Sequence, residues 1–461
     1  MTARPDILFL ILDSARKDRV SLYGHDRETT PALDALGRDA TIYENAYTPT
    51  PWTLPSHCSM FTGKFPSEHG VTNGFSDRRP SLPESESTLA ERLTDAGYRT
   101  AGFSNNPWVG SLSGLDRGFD EYVEWDLEIG RTDDSGITST VDHLYSRFHT
   151  LLGQAARQPV FLLKRPFFTN NLIRRGKRWV RETTDDDAPT FTFLNLMEAH
   201  SPYFPPNRAF DVLDLDAPGP LEPRTLNTRL LAYVLGKTDL SGENRERIME
   251  YYDAALRYED EKVRELLKTY REIGLFDDTL VIVCSDHGKT LGEFPRDSEP
   301  SHYVRAHNTN VPLVVKWPGQ THGEWVDDPV ELVDLFDLVV DAASGDAATP
   351  DLGRDRAMTE DFVPHTGSRS TEVTRWRVIS EEEYRYARTE NGEEYLLAHG
   401  DSTTDEIVVT AESDEAVAAA RRLSDALDRR VPDLGDSAKR ETGESKISGT
   451  TESQLQDLGY L

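Results

Sequence analysis

Three short stretches of this sequence carry side chains that could share one piece of chemistry. Asp13 closes the apolar run Ile7 to Leu12. Asp286-His287-Gly288 follows a second such run, Thr279 to Cys284, after Ser285, and Thr53 stands within Thr50-Pro51-Trp52-Thr53-Leu54-Pro55-Ser56-His57. Carboxylate and imidazole groups at strand ends are suitable ligands for a cation, and they are equally ordinary caps and turn residues. Proline is tolerated in the first helical turn, so Pro55 marks a helix start and puts Thr53 just before it. A hydroxyl there meets the positive end of the helix, a setting that suits an alkoxide and an anionic ester, although a simple capping threonine would sit in the same place. Each stretch alone fits a structural role; the combination points to catalysis.

These residues need elements that bring them together. The runs Ile7 to Leu12 and Thr279 to Cys284 are short and rich in Ile, Val and Leu, as strands buried on both faces of a parallel sheet are. Arg99 to Ser104, Thr190 to Leu196 and Val311 to Trp317 read as further strands. Thr88 to Ala96 and Asn244 to Ile273 read as helices stopped by Gly97 and Gly274. The alternation predicts an α/β fold with a mainly parallel sheet covered by helices, whose ligands bind at the carboxyl ends of the strands, where Asp13 and Asp286 lie.

Past residue 345 the pattern changes. Arg375 to Ile379, Tyr384 to Thr389, Glu394 to Ala398 and Ile407 to Thr410 predict a small antiparallel sheet, followed by an acidic helix from Asp414 to Leu427 and a polar, flexible stretch from Val431 to Thr450. The expected organisation is a catalytic domain over 1–345, with an insertion at about 126–187, and a C-terminal subdomain over 346–461. Within the insertion, Lys164 to Arg181 is basic and interleaved with Phe167, Phe168 and Trp179. It reads as a helix that covers the sheet and pairs its basic face with nearby acids, with peripheral contact at a membrane as the alternative.

Acidic residues number 81 against 51 basic ones, a formal charge of -30 spread over the whole chain. Scattered acids of this kind fit a salt-adapted cytoplasmic protein rather than a docking face, and exclude nucleic acid as an expected partner. An anionic substrate must then find local positive charge at the site itself. The two cysteines, Cys58 and Cys284, support neither a disulfide framework nor a cysteine-rich metal site. No stretch approaches the ~20 apolar residues of a membrane span, and the chain enters a strand almost at once, so a cytoplasmic location is expected.

Read as a whole, the chain resembles the sulfatase family of the alkaline phosphatase superfamily. The likeness rests on Leu12-Asp13-Ser14, Arg16, Asp18, Tyr23-Gly24, Thr30-Pro31-Ala32-Leu33-Asp34 and Phe61-Thr62-Gly63-Lys64. It continues through Glu198-Ala199-His200-Ser201-Pro202-Tyr203, Ser285-Asp286-His287-Gly288, Trp317-Pro318-Gly319 and Leu458-Gly459-Tyr460-Leu461. The resemblance implies a large mixed sheet between helices and a smaller C-terminal antiparallel sheet. It also implies a divalent metal ion (Mn, Zn or Mg) held by Asp13, Asp286 and His287, with the oxygen of Thr53 beside it as nucleophile.

Two departures bear on the reaction. Sulfatases carry Cys or Ser, converted to formylglycine, at the nucleophile position; this chain has Thr53, which cannot be so converted, and His57 where the family has Arg. The family's Gly-Lys-Trp-His segment is absent, Asn105-Asn106-Pro107-Trp108 following Gly97-Tyr98-Arg99 instead. A threonine nucleophile is similar to that of the phosphoethanolamine and phosphoglycerol transferases. The expected reaction is therefore cleavage or transfer of a phosphate ester or diester through a covalent Thr53 intermediate, with sulfuric ester hydrolysis second. His200, His302 and Lys289 are nominated for the leaving group and nonbridging oxygens, and His57, Asn106 and His307 for substrate binding. The substrate is expected to be a small anionic ester or a glycan- or lipid-linked one. A catalytically silent, glycan- or partner-binding chain would have lost its ligands, and all are present.

Overall fold

The computed structural model describes residues 4–72, 80–124, 158–184, 188–234, 236–240, 242–294, 300–345, 351–362, 375–399, 406–409, 413–430 and 443–444. The larger sheet has nine strands: β1 (Ile7–Leu12), β2 (Thr41–Tyr47), β3 (Arg99–Ser104), β4 (Glu121–Val123), β5 (Thr190–Leu196), β6 (Leu280–Cys284), β7 (Asn310–Lys316), β8 (Glu324–Val326) and β9 (Val330–Glu331). Their order is β9-β2-β7-β6-β1-β5-β3-β4, with β8 also paired to β2. Every pairing is parallel except those of β7, which runs against both β6 and β2. The sheet is therefore mixed and mainly parallel, as the alternation of the sequence predicts.

β1 sits in the middle, and all six of its residues are at most 1% exposed. Its alternate side chains feed two separate cores. Leu8, Leu10 and Leu12 pack with α3 (Gln158–Thr183) and α4 (Gly242–Glu272), through residues such as Trp179, Tyr252 and Leu256. Ile7, Phe9 and Ile11 pack with α1 (Thr53–Thr62), α2 (Leu89–Asp95) and α5 (Leu335–Ser344). Burying a strand on both faces, at about 1.5–3 kcal/mol for each large apolar side chain, fixes the part of the molecule from which Asp13 emerges.

Helix ends follow local chemistry. Thr88 caps α2 in a capping box: its hydroxyl accepts from the Glu91 amide at 3.1 Å and the Glu91 carboxylate accepts from the Thr88 amide at 2.7 Å. Gly97 and Gly274 follow the two helices with φ of 83° and 77°, a conformation that glycine adopts without steric cost.

The second sheet is antiparallel throughout and runs in sequence order: β10 (Ala357–Asp361), β11 (Trp376–Ser380), β12 (Tyr384–Thr389), β13 (Glu394–His399) and β14 (Glu406–Val409). Four of these strands match the alternating segments; β10, with its buried Thr359, Glu360 and Asp361, has no such pattern. The helix α6 (Asp414–Arg430) covers this sheet through Leu423 and Leu427. β10 lies along the segment that leads into α1: Thr359 Oγ1 donates to Thr48 O at 2.7 Å, Glu360 N to Pro49 O at 2.8 Å, and Trp52 Nε1 to Asp361 Oδ1 at 3.0 Å.

α3 contains the basic stretch of the insertion, and over its described side chains it is a cover helix. Leu172, Ile173, Trp179 and Val180 enter the core, and a Cβ on Gly176 would stand 3.4 Å from Leu194 of β5. Arg178 and Arg181 face outward and pair with Glu182 and Glu272. The side chains of Phe167 and Phe168, all of 126–157, and Val431 to Thr450 apart from 443–444 lie outside the described residues. No helix among the described residues is long and apolar enough to cross a membrane.

Candidate active site

The register of β1 against β6 pairs Ile11 with Cys284, so the two strands leave the sheet side by side with Asp13 on one and Asp286 on the other. The ladder continues past the strand ends: Asp13 N donates to Leu196 O at 2.8 Å, and Ser14 N donates to Asp286 Oδ1 at 2.9 Å. Asp13, Asp286 and His287 offer ligand atoms that all lie within 4.8 Å of one another, and all three residues are buried.

Gly288 is required by a close approach. Its amide donates to Asn308 O at 2.8 Å and the next amide, that of Lys289, to His307 O at 3.1 Å; a Cβ on Gly288 would sit 1.9 Å from His307 O. The contact presses the Asp286-His287 turn onto the strand-entry segment before β7.

Thr53 is the first residue of α1, two residues ahead of Pro55, so the helix begins earlier than the proline suggests. Proline at the third position is accommodated because that amide would have no partner inside the helix. Thr53 Oγ1 lies 3.1 Å from His287 Nε2. His287 Nδ1 donates to Gly288 O at 2.6 Å, which turns Nε2 toward the cluster. Thr48 and Ser56 hydroxyls both donate to Asp286 O, at 2.5 and 2.8 Å, tying α1 to the end of β6.

Of the residues nominated for the substrate, His57 and Asn106 join the cluster as supports. His57, one turn after Thr53, is fully buried; its Nδ1 donates to Thr53 O at 2.8 Å and lies 3.6 Å from Asp286 Oδ2. Asn106 Nδ2 donates to Asp13 Oδ2 at 2.7 Å. His200 comes close enough for its charge to act on Asp13, and its Nδ1 donates to Ser201 O at 2.6 Å. Lys289 Nζ donates to Ser201 Oγ at 2.6 Å, which brings the lysine side chain against the loop that carries His200. The His307 ring packs beside Phe294 at 5.5 Å, within the charge field of Asp18 and Glu293. His302 opens the turn His302–Val304, and its side chain lies outside the described residues. Arg16 and Asp18 pair at 2.7 Å, and Arg16 also pairs with Glu293 at 2.5 Å.

Two further residues reach the carboxylates, Asn195 with no motif in the sequence and Ser14 within the Leu12-Asp13-Ser14 motif. Asn195, at the end of β5, donates to Asp13 Oδ2 at 3.3 Å, and Ser14 Oγ donates to Asp13 Oδ1 at 3.0 Å. An inward-facing asparagine in the apolar run Thr190 to Leu196 is the one signal that could have pointed to the first of them.

The electrostatics of the cluster fit a cation. Burial pushes Asp286 up to about 8, and the neighbouring Asp13 carboxylate pushes the same way. Burial also acts to raise Asp13, but His200, His287 and His57 outweigh it and hold that carboxyl below its usual range. Burial lowers the His287 imidazole, keeping it neutral and able to offer a lone pair. Asp286 Oδ2 is buried with no hydrogen-bond partner, a costly state for an anion unless a positive charge faces it. Asp13, Asp286 and His287 therefore suit a divalent ion, with Thr53 adjacent.

Comparison with known proteins shows the family. The Sulfatase family model matches residues 5–345. An ulvan-active sulfatase of Formosa agariphila is 26% identical over 408 residues, covering 84% of this chain and 74% of that protein. A choline-sulfatase of Rhizobium meliloti is 25% identical over 361 residues, covering 74% of this chain and 68% of that protein. The crystal structure of a phosphonate monoester hydrolase of Agrobacterium radiobacter superposes with a TM-score of 0.70 at 19% identity, covering 96% of this chain and 100% of that one, and so shares the fold. With the family model spanning Asp13, Thr53 and the Asp286-His287 pair, this chain belongs to the Sulfatase family.

Proposed function

We propose that this sulfatase-family hydrolase acts on phosphate esters or diesters, as a metal-dependent hydrolase or phosphotransferase with Thr53 as its nucleophile. One observation carries the reading: a hydroxyl that cannot become formylglycine stands 3.1 Å from His287 Nε2, inside the Asp13, Asp286 and His287 cluster. A divalent ion held there would supply Lewis acidity that favours ionisation of a neighbouring hydroxyl.

In the first step Thr53, its ionisation favoured by an ion held at the cluster, releases its hydroxyl proton to solvent as the Oγ1 to phosphorus bond forms and the bond from phosphorus to the leaving oxygen breaks. The leaving oxygen takes a proton from His200 or Lys289, which the Ser201 loop holds together. In the second step water, or an acceptor hydroxyl, gives its proton to the group that protonated the leaving oxygen and displaces Thr53 from phosphorus, and Thr53 Oγ1 takes up a proton from solvent to restore the hydroxyl. The positive end of α1 favours charge on Oγ1 throughout. Asn106, Asn195 and His57 act on the carboxylates and on Thr53, holding the nucleophile and ligands in register.

The choice of a phosphorus centre is supported by the residue at position 53 and by the fold shared with a phosphonate monoester hydrolase. A sulfuric ester is the second reading, favoured by relatives that are themselves an ulvan-active sulfatase and a choline-sulfatase. The transferred group would be carried by a small anionic ester or by a glycan- or lipid-linked alcohol.

The deciding experiment compares initial rates on aryl sulfate, aryl phosphate and bis-aryl phosphate in high salt with added Mn²⁺ or Zn²⁺, for the wild type and Thr53→Ala. Phosphoester turnover abolished by Thr53→Ala is the expected result. Sulfate turnover that survives Thr53→Ala would overturn the threonine mechanism.

A further inference from the structure

Ser14 sits against both carboxylates of the cluster in a backbone conformation that serine seldom adopts. It follows Asp13, is fully buried and has φ 65°. This left-handed region crowds the Cβ of any L-residue, so it persists only where the surroundings enforce it. The consequence for the site is direct. The Ser14 amide donates to Asp286 Oδ1 at 2.9 Å and its hydroxyl donates to Asp13 Oδ1 at 3.0 Å. Asp286 Oδ1 also accepts from the His287 amide at 2.9 Å. With one oxygen engaged by two amides, the carboxylate cannot rotate, and Oδ2 is the oxygen left toward the cluster, without a hydrogen bond of its own.

What holds Ser14 comes from the far side of the sequence. Tyr252, on α4, is fully buried, and its hydroxyl bridges the loop: it donates to Ser14 O at 2.9 Å and accepts from Arg16 N at 2.7 Å. The same face of α4 reaches back twice more along this segment. Asp253 pairs with Arg19 and Arg27, and Asp260 accepts from the Ala32 and Leu33 amides at 2.8 and 3.1 Å. Among these contacts, that of Tyr252 is the one that fixes the backbone next to Asp13.

We propose that Tyr252 is a positioning residue for the cation centre: its hydroxyl clamps Ser14 in the left-handed conformation, and Ser14 in turn orients Asp13 and Asp286. The inference rests on the reading that Asp13, Asp286 and His287 hold a divalent ion. Tyr252→Phe keeps the ring, including its edge contact with Tyr203 at 5.6 Å, and removes only the hydroxyl, so that the Ser14 carbonyl and Arg16 amide lose this partner. Loss of a group that orients a metal ligand characteristically weakens metal affinity by about 10- to 100-fold.

Tyr270 supplies the control, since it lies on the same helix, is fully buried and donates its hydroxyl to Thr192 Oγ1 at 3.1 Å, with no contact to Ser14 among those described. Mn²⁺ binding is measured by calorimetric titration of the full chain in high salt, for the wild type, Asp286→Asn, Tyr252→Phe and Tyr270→Phe. The expected result is tight binding by the wild type and Tyr270→Phe, loss of binding in Asp286→Asn, and binding weakened about 10- to 100-fold in Tyr252→Phe. Wild-type affinity in Tyr252→Phe, or an equal weakening in Tyr270→Phe, would overturn the role of Tyr252 while leaving the centre in place. No Mn²⁺ bound by the wild type, or unchanged binding in Asp286→Asn, would overturn the centre itself and Tyr252 with it. If Tyr252→Phe does not fold, the pair Ser14→Gly and Ser14→Ala decides. Both lack the hydroxyl and only alanine resists positive φ, so tighter Mn²⁺ binding by the glycine variant supports the clamp and equal affinities overturn it.

Discussion

Thr53 and His287 are 234 positions apart in sequence and 3.1 Å apart in space, oxygen to nitrogen. The contact joins the first residue of a helix to the turn after a strand, and so couples the proposed nucleophile to the proposed cation ligands. Replacing Thr53 by Ala is expected to lower kcat on the best phosphoester by at least about 10³-fold with little change in stability. Thr53→Ser should retain turnover, because it keeps the oxygen. Mass spectrometry of wild type quenched during turnover should find a phosphoryl group on the peptide that contains Thr53; its absence under burst conditions would count against the covalent course.

Asp286 Oδ2 has no hydrogen-bond partner in its buried position, so a cation bound there should stabilise the fold. A free Mn²⁺ concentration about 100 times the dissociation constant is expected to add about 2.7 kcal/mol to the free energy of unfolding, and a chelator to remove it. Thermal unfolding with and without chelator checks this. Asp286→Asn should show the same midpoint in both conditions.

His200 and Lys289 are held by one loop, through Ser201 O and Ser201 Oγ. If they serve the leaving oxygen, His200→Ala and Lys289→Ala should each cost about 10²- to 10⁴-fold with an alkyl leaving group, and much less with nitrophenolate, which needs no proton. Rates on a series of esters of graded leaving-group pKa give the comparison. An equal loss across the series would reassign both residues to binding the nonbridging oxygens.

Asp253 is buried against Arg19, Arg27 and His25. Burial acts to raise its pKa, but His25 and Arg19 prevail and hold it below the usual carboxylate range. Its contribution to stability is therefore fully present above the unfolded-state value of about 3.9 and is lost as pH falls through the lower folded-state value. Denaturant unfolding of wild type should show this acid slope, and Asp253→Asn should lack it. At neutral pH the substitution is expected to cost about 1–3 kcal/mol, since it leaves the half-buried Arg19 and Arg27 guanidinium groups without their anion.

Much of this arrangement was legible in the order of residues. The apolar runs of β1 and β6 announce buried strands because a strand covered on both faces has no polar face to show, and the polar residues that follow must then lie at the sheet's carboxyl edge. The capping threonine Thr88 and the terminal Gly97 and Gly274 are written in local chemistry for the same reason: their partners lie within a few residues. Asp13, Thr53, Asp286 and His287 could be named from type and context alone.

Which residues support them depended on contacts across hundreds of positions, which no local pattern encodes. Asn195 hides among the apolar residues of β5, Tyr252 is one of many tyrosines on a long helix, and β10 is a buried polar strand whose partners sit beside the nucleophile segment. Nor does the local sequence tell that the missing side chain of Gly288 makes room for His307 O. The type of a catalytic group is set by its own atoms, so the sequence by itself determined which chemistry was available. Its orientation is set by whatever the fold packs against it, so only the tertiary structure decided which hydrogen bonds aim Asp13, Asp286 and His287 at a common point.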